Sequence, residues 1–447
     1  MRKILSVLLV LSLVLALFAG CGQEASKETA TDQPAKTEAK ADSKTTAAEE
    51  AEEAEEVELR IVTMFGGTDP ATEVFEAQLE AFMAEYPNVT IKNESMTAVG
   101  DEFRTKVKTD FSTGNEADVN FFFTGADVSA IIEAGRVVPL SEIQSAYPNV
   151  AKDVSAGVLD SVKVADGEVY AIPMTGFYEG LFVNKELFAQ YDLELPTTWA
   201  NLEKAVEVFQ ANGIVPFAGP IAQSHYMIEH FVYASAGAQG HQDLLDGDVP
   251  ASWVNGLNNI KALYDNGAFA ADALSMDIEL AQILFRNEKA AMILEGSWFI
   301  GGCDDALKEK LTVLPMPNAD GGSKDPSSIV GGFSSGYYLS RAAFEDSAKR
   351  EVTVALLDYL TTAESIRAIA QANGGSPSAA VVVEGLPQVA VDGHTMAANA
   401  KALSMPIDSR LTPEAFNYIV KEGVPFIAFG ERTAEEVLEE VKNIQNK

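Results

Sequence analysis

The stretch D-G-E-V-Y-A-I-P-M-T-G-F-Y-E-G-L-F-V-N-K-E-L-F, Asp166 to Phe188, decides how the rest of the chain is organised. The turn pair Asp166-Gly167 leads into the strand formers Val169, Tyr170, Ala171 and Ile172, which Pro173 stops, and a second apolar strand follows at Leu181-Phe182-Val183. Between them, Met174 to Gly180 reads as a short irregular piece with Tyr178 and Glu179 held between two glycines. An aromatic face and a carboxylate then sit where the backbone is free to bend, as at a domain crossing with a ligand site.

Working outward, the order upstream is βαβαβ. Leu59 to Phe65 reads as a buried strand, Asp69-Pro70 as the start of a helix with Phe75, Leu79, Phe82 and Tyr86 on one face, and Val89 to Met96 as a strand. Phe103, Val107 and Phe111 mark a helix closed by Gly114, and a third strand runs to Phe123. This predicts an α/β fold with a parallel sheet flanked by helices, and ligands of such sheets lie beyond the carboxyl ends of the strands. Those ends are Phe65 to Asp69 and Thr124 to Asp127.

Downstream the chain restarts a sheet. Thr198 caps a helix carrying Trp199, Leu202, Val206 and Phe209, and a strand at Ile214 to Phe217 follows. Helices are expected around Tyr226 to Tyr233, Trp253 to Asn266 and Ser275 to Asn287, then a strand from Ala290 to Leu294 and a turn Glu295-Gly296-Ser297-Trp298. A strand at Leu311 to Met316, a loop to Ser328, and the run Val330-Gly331-Gly332-Phe333-Ser334-Ser335-Gly336 opening a strand at Tyr337 to Ser340 come next. A helical tail ends the chain.

The N-terminal part is of another kind. Arg2 and Lys3, the apolar run Ile4 to Phe18, and the small pair Ala19-Gly20 read as a secretory signal over residues 1–20. Leu17-Phe18-Ala19-Gly20-Cys21 resembles the bacterial lipobox, in which the cysteine is acylated and anchors the protein to the outer face of the cell membrane. Residues 21–56 continue as Ala, Glu, Lys, Thr and Ser with no aromatic residue, a composition that buries too little to order itself and serves as a tether. The only other cysteine is Cys303, so no disulfide is expected within the folded part.

The net charge is −34 over 447 residues. A chain this acidic does not bind nucleic acid or polyphosphate unaided. His225 and His230 lie five apart, roughly 140° round a helix, which separates them, and neither His241 nor His394 adds a ligand spacing. No metal and no cofactor is therefore expected. No phosphate loop, G-x-S-x-G or Cys-His pairing is present. Glu179 and Glu295 are conceivable as the two carboxylates of a glycosidase. Carboxylates beside rings are also what a sugar cleft needs, since a pyranose stacks its C–H face on a ring and its hydroxyls donate to carboxylates. Tyr178, Tyr226 and Trp298 supply the rings, whereas Trp199 and Trp253 lie on apolar helix faces and read as core. Few arginines fall near the proposed cleft, which argues against an anionic solute.

The ordered chain resembles the family 1 extracellular solute-binding proteins of ABC importers, the maltose-binding-like group. The residues that carry the likeness are Gly167 to Pro173, Leu181 to Phe188, Pro196-Thr197-Thr198-Trp199, Lys289 to Met292 through Trp298, and the Gly331-Gly332-Phe333 and Gly374-Gly375-Ser376-Pro377 loops. The resemblance implies two α/β lobes joined by short crossings, with a cleft between them: lobe one at 57–172 and 329–361, lobe two at 178–315 and 368–447. It places Tyr226 and Trp298 at stacking positions and gives lobe-one contacts to the loops of Phe65 to Asp69 and Thr124 to Asp127; with Tyr178, Glu179 and Glu295 from the reading of the residues, and Gly332 and Phe333 of the matching loop, these are the expected ligand-binding residues. It further implies a monomer that closes on a neutral sugar or oligosaccharide and presents it to a membrane permease and its ATPase, without making or breaking a bond. A binder of cationic solutes such as polyamines is the first alternative and a surface glycosidase the second.

Overall fold

A computed structural model describes residues 55–245, 247–322 and 328–447; the signal, Cys21 and nearly all of the tether lie outside the described residues. Strands β1 (Val57–Val62), β2 (Val89–Asn93) and β3 (Val119–Phe123) alternate with the helices Thr72–Glu85 and Glu102–Thr113, as the apolar spacing requires. β1 pairs in parallel with β2 on one side and β3 on the other. A late strand, described below, completes this first sheet antiparallel to β3. Leu59, Ile61, Phe75, Phe82 and Phe121 fill the core beneath it, none more than 1% exposed. The helix Glu102–Thr113 ends at Gly114, whose φ of 74° is the left-handed conformation that closes a helix at no steric cost.

The second sheet grows around β4 (Thr175–Asn184). β5 (Val215–Phe217), β6 (Ala290–Gly296), β7 (Leu311–Leu314) and β8 (Ile329–Gly332) follow it in the chain, then β9 (Ser335–Leu339), β10 (Ser376–Pro377) and β11 (Leu403–Ser404). The order is β11-β8-β4-β6-β5, with β7 and β10 also paired to β4, while β9 closes the first sheet as β2-β1-β3-β9. Thr198 caps the helix Trp199–Ala211 through its hydroxyl, and Trp199 and Trp253 both lie in the core of this lobe. Cys303 is buried and unpaired, and its thiol is pushed up to about 11 by burial.

Two sequence expectations give way here. Val169 to Ile172 forms no strand, only a single bridge from Ile172 to Tyr337. The piece read as irregular, Met174 to Gly180, is instead the first half of β4 from Thr175 on. Pro173 blocks pairing upstream, whereas nothing from Thr175 to Asn184 interrupts a strand and neighbours lie along it: β10 at Thr175 and Gly176, β8 at Phe177 and Tyr178, β6 and β7 beyond.

The chain therefore passes between the sheets at three adjacent places. They are the start of β4, the Phe333-Ser334 step between β8 and β9, and the Gly374-Gly375 approach to β10. Two expected boundaries shift as a result. Residues 329–332, expected in lobe one, belong to the second sheet, and the helix Ala363–Asn373 packs Ile366 and Ile369 into the first core.

Candidate functional site

The carboxyl ends of β1 and β3 face the second sheet across a cavity of about 730 Å³. That is within the range of roughly 300 to 1,000 Å³ typical of small-molecule sites. Phe65, Asp69, Thr124 and Asp127 all line it from lobe one. Phe65 is only 2% exposed and is clamped between Phe75 and Phe121, with ring centroids 5.5 and 4.8 Å away. Asp69 accepts a hydrogen bond from the Ala71 amide at 2.8 Å, and burial pushes its carboxyl up to about 6. The helix starts three residues after it, at Thr72, so Asp69 shapes the turn before the helix rather than capping it. Thr124 is tied to the crossing by its amide, which donates to the Ser334 carbonyl at 2.8 Å.

From lobe two comes an aromatic wall. Trp298 is half-buried, with Phe177 and Tyr226 at ring centroid distances of 5.7 and 6.3 Å, and all three line the cavity. Its indole presses on Gly296, where a Cβ would stand 2.3 Å from the ring; only glycine permits that approach. The indole Nε1 donates to Glu295 Oε2 at 3.2 Å. Glu295 also accepts from Gln282 Nε2 at 2.7 Å and from the Gly296 amide at 3.3 Å, while Gln282 Oε1 accepts from Arg286 at 2.9 Å. Burial pushes the Glu295 carboxyl up to about 7, against the pull of these donors. Glu295 is 1% exposed and is not among the residues lining the cavity. It sits behind Trp298 and positions it.

Several expected contacts fall elsewhere. Tyr178 is fully buried on the face of β4 opposite the cavity, where its ring meets His394 edge-on at 5.9 Å and presses on Gly393. The cause is the period of two along a strand: Phe177 and Glu179 face the cavity, so Tyr178 between them cannot. Gly332 and Phe333 do not line the cavity either. Gly332 pairs with Phe177 at the crossing, and Phe333 packs on the core of lobe one, so the lobe-one side of this loop reaches the cavity through Ser334 and Ser335 instead.

The expectation of a cleft poor in basic groups also needs correction, because Arg104, Arg286 and Lys421 line the cavity. Arg104 and Lys421 are paired with carboxylates, whereas Arg286 has only neutral neighbours and a buried Nε without a partner. Arg104 lies 4.1 Å over the Phe123 ring and pairs with Asp127 at 2.9 Å and, across the cavity, with Asp408 at 2.7 Å. Lys421 reaches Asp101 across the same gap, and Arg286 is held by Gln282 and the Phe299 ring. Asp127 is thus an ion-pair partner of Arg104 and Lys108 as well as a wall residue.

Phe177, Glu229 and Asp408 line the site without having been singled out by sequence, and His225, weighed there only as a metal ligand, lines it too. Counting by twos back from Leu181 would have found Phe177; for Asp408, between Pro406 and Ser409, no local signal exists. His225 packs on Tyr226 with centroids 4.0 Å apart, and burial and Arg104 push its imidazole down to about 3, so it faces the site uncharged. Glu179 and Glu229 are 2% and 1% exposed, and both line the cavity. His230 Nε2 lies 3.3 Å from Glu179 Oε2 but is not aligned for a hydrogen bond. Among the described residues no group of three acidic, histidine or cysteine side chains is arranged to hold a metal ion.

Comparison with known proteins agrees with this architecture. The chain is 25% identical over 232 residues to a multiple sugar-binding protein of Streptococcus mutans. That match covers 49% of this chain and 53% of the relative, and a second curated match covers 65% of its relative, so the likeness spans between half and two thirds of their lengths. A solved chitin oligosaccharide binding protein superposes with a TM-score of 0.78 at 23% identity, covering 88% of this chain and 98% of that one. The maltotriose-bound maltose/maltodextrin-binding domain of Bdellovibrio bacteriovorus gives 0.71 at 19%, covering 87% and 99%. These establish the two-lobed fold of periplasmic solute-binding proteins. A family description matches residues 67–366, and the chain belongs to the bacterial extracellular solute-binding proteins, a family of binders and not of enzymes.

Proposed function

We propose that this protein captures a neutral sugar or oligosaccharide in the cavity between its sheets and delivers it to an ABC import permease and its ATPase. The observation that carries this reading is the wall formed by Phe177, Tyr226 and Trp298, set among carboxyl groups in a cavity where Arg104 and Lys421 are already paired with carboxylates. Rings take the apolar face of a pyranose and carboxylates take its hydroxyls. The named ligands of the similar proteins, sugars in each case, support the same class. Binding favours a closed arrangement only if the ligand touches both walls, and the three adjacent crossings supply a hinge about which they would move.

Glu295 lies behind the wall, so Glu179 and Glu295, the two carboxyls conceivable as a glycosidase pair, are not presented together to a substrate. A cationic solute is the second reading, favoured by Asp69, Asp101, Glu102 and Glu279 along the cavity. Calorimetry with malto- and chito-oligosaccharides, polyamines and amino acids tests the choice. Heat with an oligosaccharide alone supports the sugar reading, and heat with polyamines alone overturns it.

The lipobox-like Leu17 to Cys21 supports anchoring of a monomer outside the cell membrane through an acylated Cys21. None of the described helices is long and apolar enough to cross a membrane. Cys21→Ala is expected to release the protein from membranes with binding intact; equal retention of variant and parent counts against the anchor.

A further inference from the structure

Glu179 on β4 and Glu229 on the helix His225–His241 both line the cavity, 2% and 1% exposed, and their carboxyls stand close enough for one to hydrogen-bond the other. Two carboxyl groups can hydrogen-bond to one another only if one of them carries a proton. Glu179 Oε2 and Glu229 Oε2 are buried and accept from no protein donor. Buried acceptors in that state lack partners that a ligand rich in hydroxyl groups supplies.

The surroundings explain why the pair keeps its proton. Acidic groups reach it from every side: Asp408 from the segment Ile407–Ser409, Glu295 from β6 behind Tyr226, and Asp127 beyond Asp408. Opposing them are the backbone amide of Ile407, which favours the ionised form of Glu229, Arg104 beyond Asp408, and His230, beside Glu179 and close to His241. Burial and the neighbouring carboxyls together hold Glu229 well above the usual carboxylate range.

We propose, resting on the sugar reading, that ligand capture is coupled to release of one proton from the Glu179–Glu229 pair, so that affinity weakens in acid. Sugar hydroxyls that donate to both carboxyls replace the shared proton, which leaves to solvent; no covalent bond of the ligand changes. The sign follows from linkage. The pair is more readily ionised in the complex than in the free protein, so affinity is full above the free protein's pKa and falls as pH drops below it. The fall is about tenfold per pH unit where a whole proton is exchanged.

The test is calorimetry of the folded chain with maltotriose or a chito-oligosaccharide near neutral pH, in buffers of different ionisation heat. The observed enthalpy is expected to follow the buffer with a slope close to one proton released. In Glu229→Gln that slope is expected to vanish or fall sharply, which separates this pair from Asp69, Asp408 and Glu295. A parent enthalpy independent of buffer, or an undiminished slope in Glu229→Gln, overturns the proposal. Infrared spectroscopy of the ligand-free protein decides separately whether the pair holds a proton: part of the protonated-carboxyl band disappears in Glu229→Gln, and a band unchanged by the substitution refutes it. Failure of every oligosaccharide to bind would instead remove the sugar reading.

Discussion

The two faces of β4 have opposite fates over a few residues. On one face Phe177 and Glu179 look into the cavity, beside Trp298 and Glu229. On the other, Tyr178 is sealed under Gly393 and His394, with its hydroxyl unpartnered. Composition does not separate them, since both carry a large aromatic ring. What separates them is which sheet face is covered: the helix Gln388–Ala398 packs over the Tyr178 side and leaves the Phe177 side to the cavity. Residue type marks a strand as chemically rich, but only parity and the packing partner say which of its rings can touch a ligand.

The largest effect that would break this contrast is on stability. Tyr178→Ala removes a fully buried ring and is expected to cost about 3 to 5 kcal/mol, the range for deleting a core aromatic. Ligand affinity of the fraction that remains folded should be unchanged. Denaturant titration and calorimetry check the two halves; unchanged stability with lost binding would return Tyr178 to the site. Tyr178→Phe sharpens the point, because the hydroxyl it deletes is buried without a partner and its loss should leave stability unchanged or raise it.

Next in size is Trp298→Ala. A half-buried ring lining a cavity contributes less to folding than to binding, so most of the melting temperature should be kept. Affinity should fall by roughly 2 kcal/mol or more, the scale of an aromatic hot spot. Ligand should change the tryptophan fluorescence of the parent and change it far less in Trp298→Phe. A variant that melts much lower yet binds normally would make Trp298 a core residue like Tyr178.

How much of this was legible in the sequence follows the same division. The βαβαβ order of lobe one is written in apolar spacing and punctuation, and it leads to Phe65, Asp69, Thr124 and Asp127 because a parallel sheet opens at its carboxyl ends. Trp298 was legible as a candidate ring because it follows a buried strand and a glycine, although β6 runs through Glu295 and Gly296 and the turn begins only at Ser297. What could not be read depends on long-range pairing. That Gly332 pairs with Phe177, that Arg104 spans to Asp408, and that Glu229 meets Glu179 are contacts between distant segments, and no local period encodes them. The one avoidable miss was parity in β4: two glycines in Met174 to Gly180 suggested a bend, but they are where neighbours approach closely, with Phe333 carbons 3.0 Å from a Cβ at Gly176 and Val313 2.7 Å from one at Gly180.

The smallest expected effect concerns Glu295, which separates a residue that touches ligand from one that acts through another. Its oxygens receive Gln282, the Gly296 amide and the Trp298 indole, leaving no acceptor turned to the cavity. Glu295→Gln keeps the shape but puts a donor where the ionised carboxylate accepts, so above about pH 7 about 1 kcal/mol of affinity should be lost through looser placement of Trp298. Stability carries a second signature. The carboxyl sits at about 7 when folded against 4.5 for the ordinary group, so the native state binds the extra proton. Stability contributed by Glu295 is therefore present below about pH 4.5 and declines as pH rises to about 7. Asp69 and Asp408, both pushed up to about 6, act in the same direction, so the slope of melting temperature with pH should become shallower in Glu295→Gln without disappearing. Melting curves across that window, run beside calorimetry, check both parts. A loss of binding as large as that of Trp298→Ala, with the tryptophan fluorescence undisturbed, would mean that Glu295 reaches the ligand itself.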